Sequence, residues 1–178
     1  MTGMPPLTVD TTTWFGPRFA DVITGDRGRQ RPESALMTQT LRLVDHAARL
    51  YARIGELLNE CITGNFAAVP TVACLVEDCV TAVHRAGISS GALAQLGVLD
   101  ASRLPTQADL DDVKDMRDVV QHIDDRLLRR RRPHNVLGQP AMVRVDADTA
   151  LLGSHSIEWT TLTRTIEALF DAASNPLR

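Results

Sequence analysis

The sequence predicts a mainly α domain of four to five helices with a small β-hairpin near its C-terminal end. Through four stretches apolar residues recur at three- and four-residue steps, the period of a helix with one buried face. Residues 141–152 instead alternate and are interrupted by the turn-like Asp146-Ala147-Asp148-Thr149, the pattern of a hairpin. With 44% apolar and 23% charged residues in 178, the chain has the balance of one globular core of ordinary size. Aromatics are only 4%, so that core is built from Leu, Val, Ile and Ala.

Residues 1–32 read as a poorly ordered N-terminal arm, rich in Pro and Gly with a Thr11-Thr12-Thr13 run. Trp14, Phe15 and Phe19 fall within it and are half of the chain's Trp and Phe residues. A purely solvated tail has no use for them, so the cluster is expected to dock on the helices or on a second subunit. Residues 33–178 form a single helical domain. Its first helix runs from Glu33 to about Thr63 on the stripe Leu36, Leu43, Ala47, Leu50, Ile54, Leu57 and Leu58, and Gly64 stops it. The second starts at Pro70, a residue suited to a first turn, and is expected to end at Gly87. Its apolar residues lie nearly all round, which places it centrally. A connector, 88–105, holds one weak helical turn near Ala92–Leu96.

The third helix begins at a capping-box-like Thr106-x-x-Asp109, with Asp where Glu or Gln is usual. Leu110, Val113, Met116, Val120, Ile123 and Leu127 make one stripe up to Pro133. Ala141–Val145 and Ala150–Leu152 form the hairpin, and a last helix spans Ile157–Ala173.

Several functional classes recede on composition. A net charge of −3 argues against a general nucleic-acid or membrane-surface binder. The longest apolar stretch, Phe66–Val76, is far too short to span a bilayer and contains Pro70. Met1–Asp10 lacks the basic and apolar regions of a signal peptide, so a cytoplasmic protein is expected. Cys61, Cys74 and Cys79 sit in apolar patterns and read as buried free thiols. His46 and His84 read as core-edge residues. No spacing suggests a metal site, a phosphate loop or a nucleophile elbow, so neither metal nor cofactor is expected.

Chemistry concentrates in Met116-Arg117-Asp118-Val119-Val120-Gln121-His122-Ile123-Asp124-Asp125-Arg126. An Arg precedes a His by five positions on an amphipathic helix. This resembles the R-x4-H motif of HEPN domains, small four- or five-helix proteins that commonly dimerise. Many of them are metal-independent RNases of toxin–antitoxin and phage-defence systems. The hairpin and closing helix that follow are similar to those of small bacterial HEPN-like proteins. The resemblance covers residues 33–132 in helix order, and Arg117 and His122 in specific residues. It implies a homodimer acting on or binding RNA, with an antitoxin or other protein partner and no cofactor.

In such a site His122 would move protons and Arg117 would hold the phosphate charge. Asp118, four residues before His122, stands where it favours the protonated imidazole. Arg126, four residues after it, pushes the other way. Five steps of about 100° put Arg117 and His122 about 140° apart around the helix. Only a helix pair related by two-fold symmetry brings Arg from one subunit beside His from the other. The run Arg129-Arg130-Arg131-Arg132 extends the same helix and, with Arg126, offers phosphate contacts. Plainer readings stand beside these: the run complements the helix dipole, and the charged residues around His122 make an ordinary solvent face. A non-enzymatic helical interaction module is the alternative function.

Overall fold

The structure is a computed structural model that describes residues 3–14, 32–121, 144–145, 148–152 and 155–177. Among these, four helices dominate: α1 (Pro32–Ile62), α2 (Val69–Gln95), α3 (Gln107–Gln121) and α4 (Trp159–Ser174). Three short antiparallel strands, β1 (Arg144–Val145), β2 (Thr149–Leu152) and β3 (His155–Glu158), stand side by side in that order. The fold is mainly α with a small antiparallel β element near the C-terminal end.

The two long helices form a hairpin, and α2 is central, as its apolar composition predicts. Val72, Val76, Val80 and Val83 recur at helical spacing and are fully buried. They face Val44, Ala47, Tyr51 and Ile54 of α1; Val113, Met116 and Val119 of α3 and Trp159, Leu162, Ile166 and Leu169 of α4 complete one core. A smaller cluster around Leu93, Leu99 and Ala172 closes the other end of the bundle.

Both long helices end in the same device. At Gly64 (φ 105°), Asn65 N–H reaches back to Glu60 C=O at 3.0 Å and Gly64 N–H to Cys61 C=O at 3.1 Å. At Gly97 (φ 68°), Val98 N–H bonds Leu93 C=O at 2.9 Å and Gly97 N–H bonds Ala94 C=O at 2.9 Å. These paired bonds satisfy the last carbonyls and need a left-handed residue, which glycine supplies. The expected stop at Gly87 is therefore corrected. α2 runs straight through it and absorbs the weak turn at Ala92–Leu96. Gly87 serves packing instead, since a Cβ there would lie 2.8 Å from Leu110 Cδ2. The missing side chain lets α3 approach α2.

The last helix also starts later than its apolar pattern suggests. Residues 155–158 form β3, pairing Ile157 with Ala150 so that both small and large apolar side chains point into the core. Ile157 satisfies a strand period as well as a helix period, and neighbours decide between them. Trp159 N–H then bonds Asp148 C=O at 3.0 Å and α4 begins. Its buried threonines return their hydroxyls to the helix, Thr163 to Trp159 C=O at 2.8 Å and Thr165 to Thr161 C=O at 2.7 Å.

The third helix starts at the anticipated cap. Thr106 Oγ1 accepts from Asp109 N–H at 3.2 Å and donates to Asp109 Oδ2 at 2.8 Å. Asp109 is only 4% exposed and is also clasped by Arg164 of α4, whose Nε donates to Oδ2 at 3.1 Å. A short carboxylate at this position thus ties the start of α3 to α4.

Residues 3–14 lie across α1 and α4. Trp14, 5% exposed, stacks on Phe170 with ring centroids 4.7 Å apart. The expected docking of the aromatic arm holds for Trp14; Phe15 and Phe19 lie outside the described residues. Together with the turn before it, α2 forms a 30-residue stretch, Phe66–Gln95, long and apolar enough to cross a membrane. The uninterrupted apolar run ends at Val76, before Glu77, but the helix that holds it is longer, and the bundle core takes up its buried valines.

The cysteines differ from one another: Cys79 is buried, Cys61 half-buried and Cys74 exposed, which corrects the uniform burial expected of them. Cys74 falls on the outer side of α2, one residue beyond Ala73 and two short of Val76. Burial pushes the Cys79 thiol up to about 12. At pH 8 its thiolate fraction is then on the order of one in ten thousand. Cys74 is expected to react with a thiol reagent within minutes in native protein, and Cys79 only on unfolding. Stoichiometric native labelling of Cys79 would contradict its place in the core.

Candidate functional site at the α2–α3 seam

The approach permitted by Gly87 brings one edge of α3 against α2. Val113, Met116 and Val119 point into the core, and Lys114, Arg117 and Asp118 follow along the flank. Arg117 Nη1 donates to Asp118 Oδ1 at 2.9 Å, with the two side chains 26% and 37% exposed. This bond, reinforced by the Arg117 charge, holds the Asp118 carboxyl below its ordinary range.

Across the seam stands His84 of α2, half-buried. Burial lowers its imidazole below the usual value, and the Arg117 and Lys114 charges push the same way against Asp118. Its Nδ1 is buried without a hydrogen-bond partner, and so is Arg117 Nε. Guanidinium nitrogen is only ever a donor, so the site lacks an acceptor that Asp118 alone does not provide. Among the described residues His84, Lys114 and Arg117 gather about the Asp118 carboxylate. Such a group suits an anion better than a cation, and a negative charge arriving there would favour protonated His84.

Two of the sequence-derived site residues, Arg117 and Asp118, are thus brought together. They pair with each other, although the helical spacing had suggested Asp118 as a partner for His122. His122, Arg126, Arg129, Arg130, Arg131 and Arg132 lie outside the described residues, as do Ile123 and Leu127 of the stripe. The residue that sequence reasoning passed over is His84. It stands four after Val80 and one after Val83, at the edge of the buried stripe. Its role depends on the α2–α3 register, which no local pattern announces. His46, also taken for a core-edge residue, is exposed. Among the described residues no group of three His, Cys, Asp or Glu side chains gathers to hold a metal.

Comparison with known protein families, curated proteins and solved structures finds no match.

Proposed function

We propose that this chain is a HEPN-like domain that binds RNA along the outer edge of α3 and, as a cytoplasmic homodimer, cleaves it without metal in a bacterial defence or toxin system. The observation that carries the reading is Arg117. Its guanidinium sits at the helix flank, paired among the described residues with Asp118, and its buried Nε has no acceptor. Lys114 adds positive charge nearby, and the sequence beyond α3 carries Arg126 and Arg129–Arg132. Phosphate oxygens supply the acceptors such a flank lacks.

The test is binding of a labelled single-stranded RNA by fluorescence anisotropy at several salt concentrations. Wild type should bind at about 50 mM salt and weaken on a log–log line, each phosphate contact contributing about 0.7 to the slope. Arg117→Ala should weaken binding several-fold and flatten the slope by about that much. Replacing Arg129–Arg132 together should remove most of the affinity. Any cleavage should persist in excess EDTA, and light scattering should give a dimer. Absence of binding at low salt would sink the RNA reading, and a monomer would sink the cleavage part of it.

One observation favours the second reading, a protein-interaction module. Ile62 and Phe66, at the turn joining α1 to α2, are 56% and 74% exposed. Exposed apolar side chains at one tip suit a protein partner, such as an antitoxin, better than a nucleic acid.

A further inference from the structure

Residues 3–14 are held on the bundle in an unusual way for an N-terminal segment. They carry neither helix nor strand up to Asp10 and turn once, over Thr11–Trp14. Among the described residues no backbone-to-backbone bond ties them to the helices. The hydrogen bonds that hold them to described residues of the helices run through side chains. The Tyr51 hydroxyl donates to Pro5 C=O at 2.9 Å, so an aromatic hydroxyl of α1 reads a carbonyl of the Pro5-Pro6 pair. Glu167 Oε1 of α4 accepts from both Thr8 N–H at 3.1 Å and Thr8 Oγ1 at 2.6 Å. Asp45 accepts from Thr11 Oγ1 at 2.6 Å. Trp14 enters last, stacked on Phe170, with its Nε1 donating to Ser174 Oγ at 3.0 Å.

Beneath the first half of the strap a cleft of about 400 Å³ remains open. Met4, Pro5 and Leu7 roof it, and Ala48, Ala52 and Gly55 of α1 floor it. Among the described residues the strap is thus fixed by four residue-specific polar or aromatic contacts, with Met4, Leu7 and Val9 packed on the core between them, and a cleft at its first half stays partly unfilled. This is how a groove recognises an extended peptide: an aromatic hydroxyl at a proline carbonyl, carboxylates at two threonines, and an aromatic anchor in an apolar slot. It is a poor way to build a permanent layer of the core, which would be close-packed.

We infer that the α1–α4 groove is a peptide-recognition site occupied by residues 3–14 as an intramolecular ligand. Its external partner is an extended segment of the same chemistry, a Pro-Pro pair followed eight residues later by Trp, with threonines between. The strap, being tethered, is present at an effective concentration of roughly millimolar and covers the groove until a partner displaces it. Displacement withdraws Trp14 from the core but no helix of the bundle, so it is a local opening rather than unfolding.

The probe is a fluorescein-labelled peptide with the sequence of residues 3–14, added to the full-length chain. Thr8→Val with Thr11→Val loosens the resident strap while leaving Glu167 and Asp45 in the groove. Trp14→Ala removes the anchor. Both variants should bind the peptide with a Kd on the order of micromolar, at least tenfold tighter than wild type, where the strap competes. A peptide with Trp replaced by Ala should lose at least tenfold. If Trp14→Ala does not fold, the double threonine variant decides. Hydrogen exchange gives the second measure: in wild type, residues 3–14 should exchange well ahead of residues 40–58. Equal binding of the peptide to all chains, no binding to the folded double variant, or equal protection of strap and α1 overturns the inference.

Discussion

Arg164→Ala should lower the unfolding free energy by about 2–3 kcal/mol, and the loss should fade in acid. Asp109 is 4% exposed, and its carboxylate is held by Arg164 and the Thr106 hydroxyl. Removing one member of a buried charge pair costs about 3–5 kcal/mol because the other is left desolvated. The Arg164 side chain is 59% exposed, so water reaches the gap and trims that figure. For a domain of this size the change corresponds to a melting point lower by about 5–10 °C. The pH signature has a definite sign. The hydrogen bond from Arg164 holds the Asp109 carboxyl below its ordinary value. A group with a depressed folded pKa stabilises fully above the unfolded value, about 3.9, and loses that contribution as pH falls through the folded value. Wild type and variant should therefore differ most near pH 7 and converge as pH falls below the unfolded value and through the folded one. A gap of equal size at both ends would mean that Arg164 acts through packing alone. Asp109→Asn keeps the size and the Thr106 contact, so it should fall between the two.

Residues that act through their neighbours in sequence were legible. The stripes of α1, α2 and α4, the cap at Thr106 and the stop at Gly64 all depend on contacts within one or two turns, which a one-dimensional pattern records. Residues that act through another element were not. Gly64, Gly87 and Gly97 are alike as letters, yet two take left-handed turns and the third opens room for Leu110. Only the second helix arriving at Gly87 separates these roles. Ile157 followed the helical stripe of α4, but β2 was available as a partner and drew it into a strand. Of the candidate site, Arg117 and Asp118 stood out because they share a helix. His84 did not, since it joins them only across the α2–α3 seam. The strap was legible in Trp14 alone: a buried aromatic leaves a mark in composition, whereas a tyrosine hydroxyl on a proline carbonyl does not.

On the ribonuclease reading, His122→Ala should cost on the order of 10²–10⁴-fold in cleavage rate, the usual contribution of general acid–base catalysis. RNA affinity should change little, because arginines dominate the contact. Arg117→Ala should lower both rate and affinity, since a phosphate clamp acts in the ground and transition states alike. Asp118 now has a sharper role than a neighbour of His122. Among the described residues it is the carboxylate bonded to Arg117, at 2.9 Å, and it opposes the lowering of His84. Asp118→Asn should therefore free the guanidinium and raise RNA affinity a few-fold at low salt. The same change takes negative charge from the His84 imidazole, whose titration, followed by NMR, should move to lower pH. The pH–rate profile should move the same way, because a carboxylate that favours protonated histidine is gone. A His84 titration that stays put while RNA affinity rises would confine Asp118 to Arg117. Purified wild type that leaves RNA intact yet binds it, and loses binding with Arg129–Arg132, is a binding domain. If it neither cuts nor binds, the flank of α3 is a solvated face, and the exposed Ile62 and Phe66 become the surface to follow.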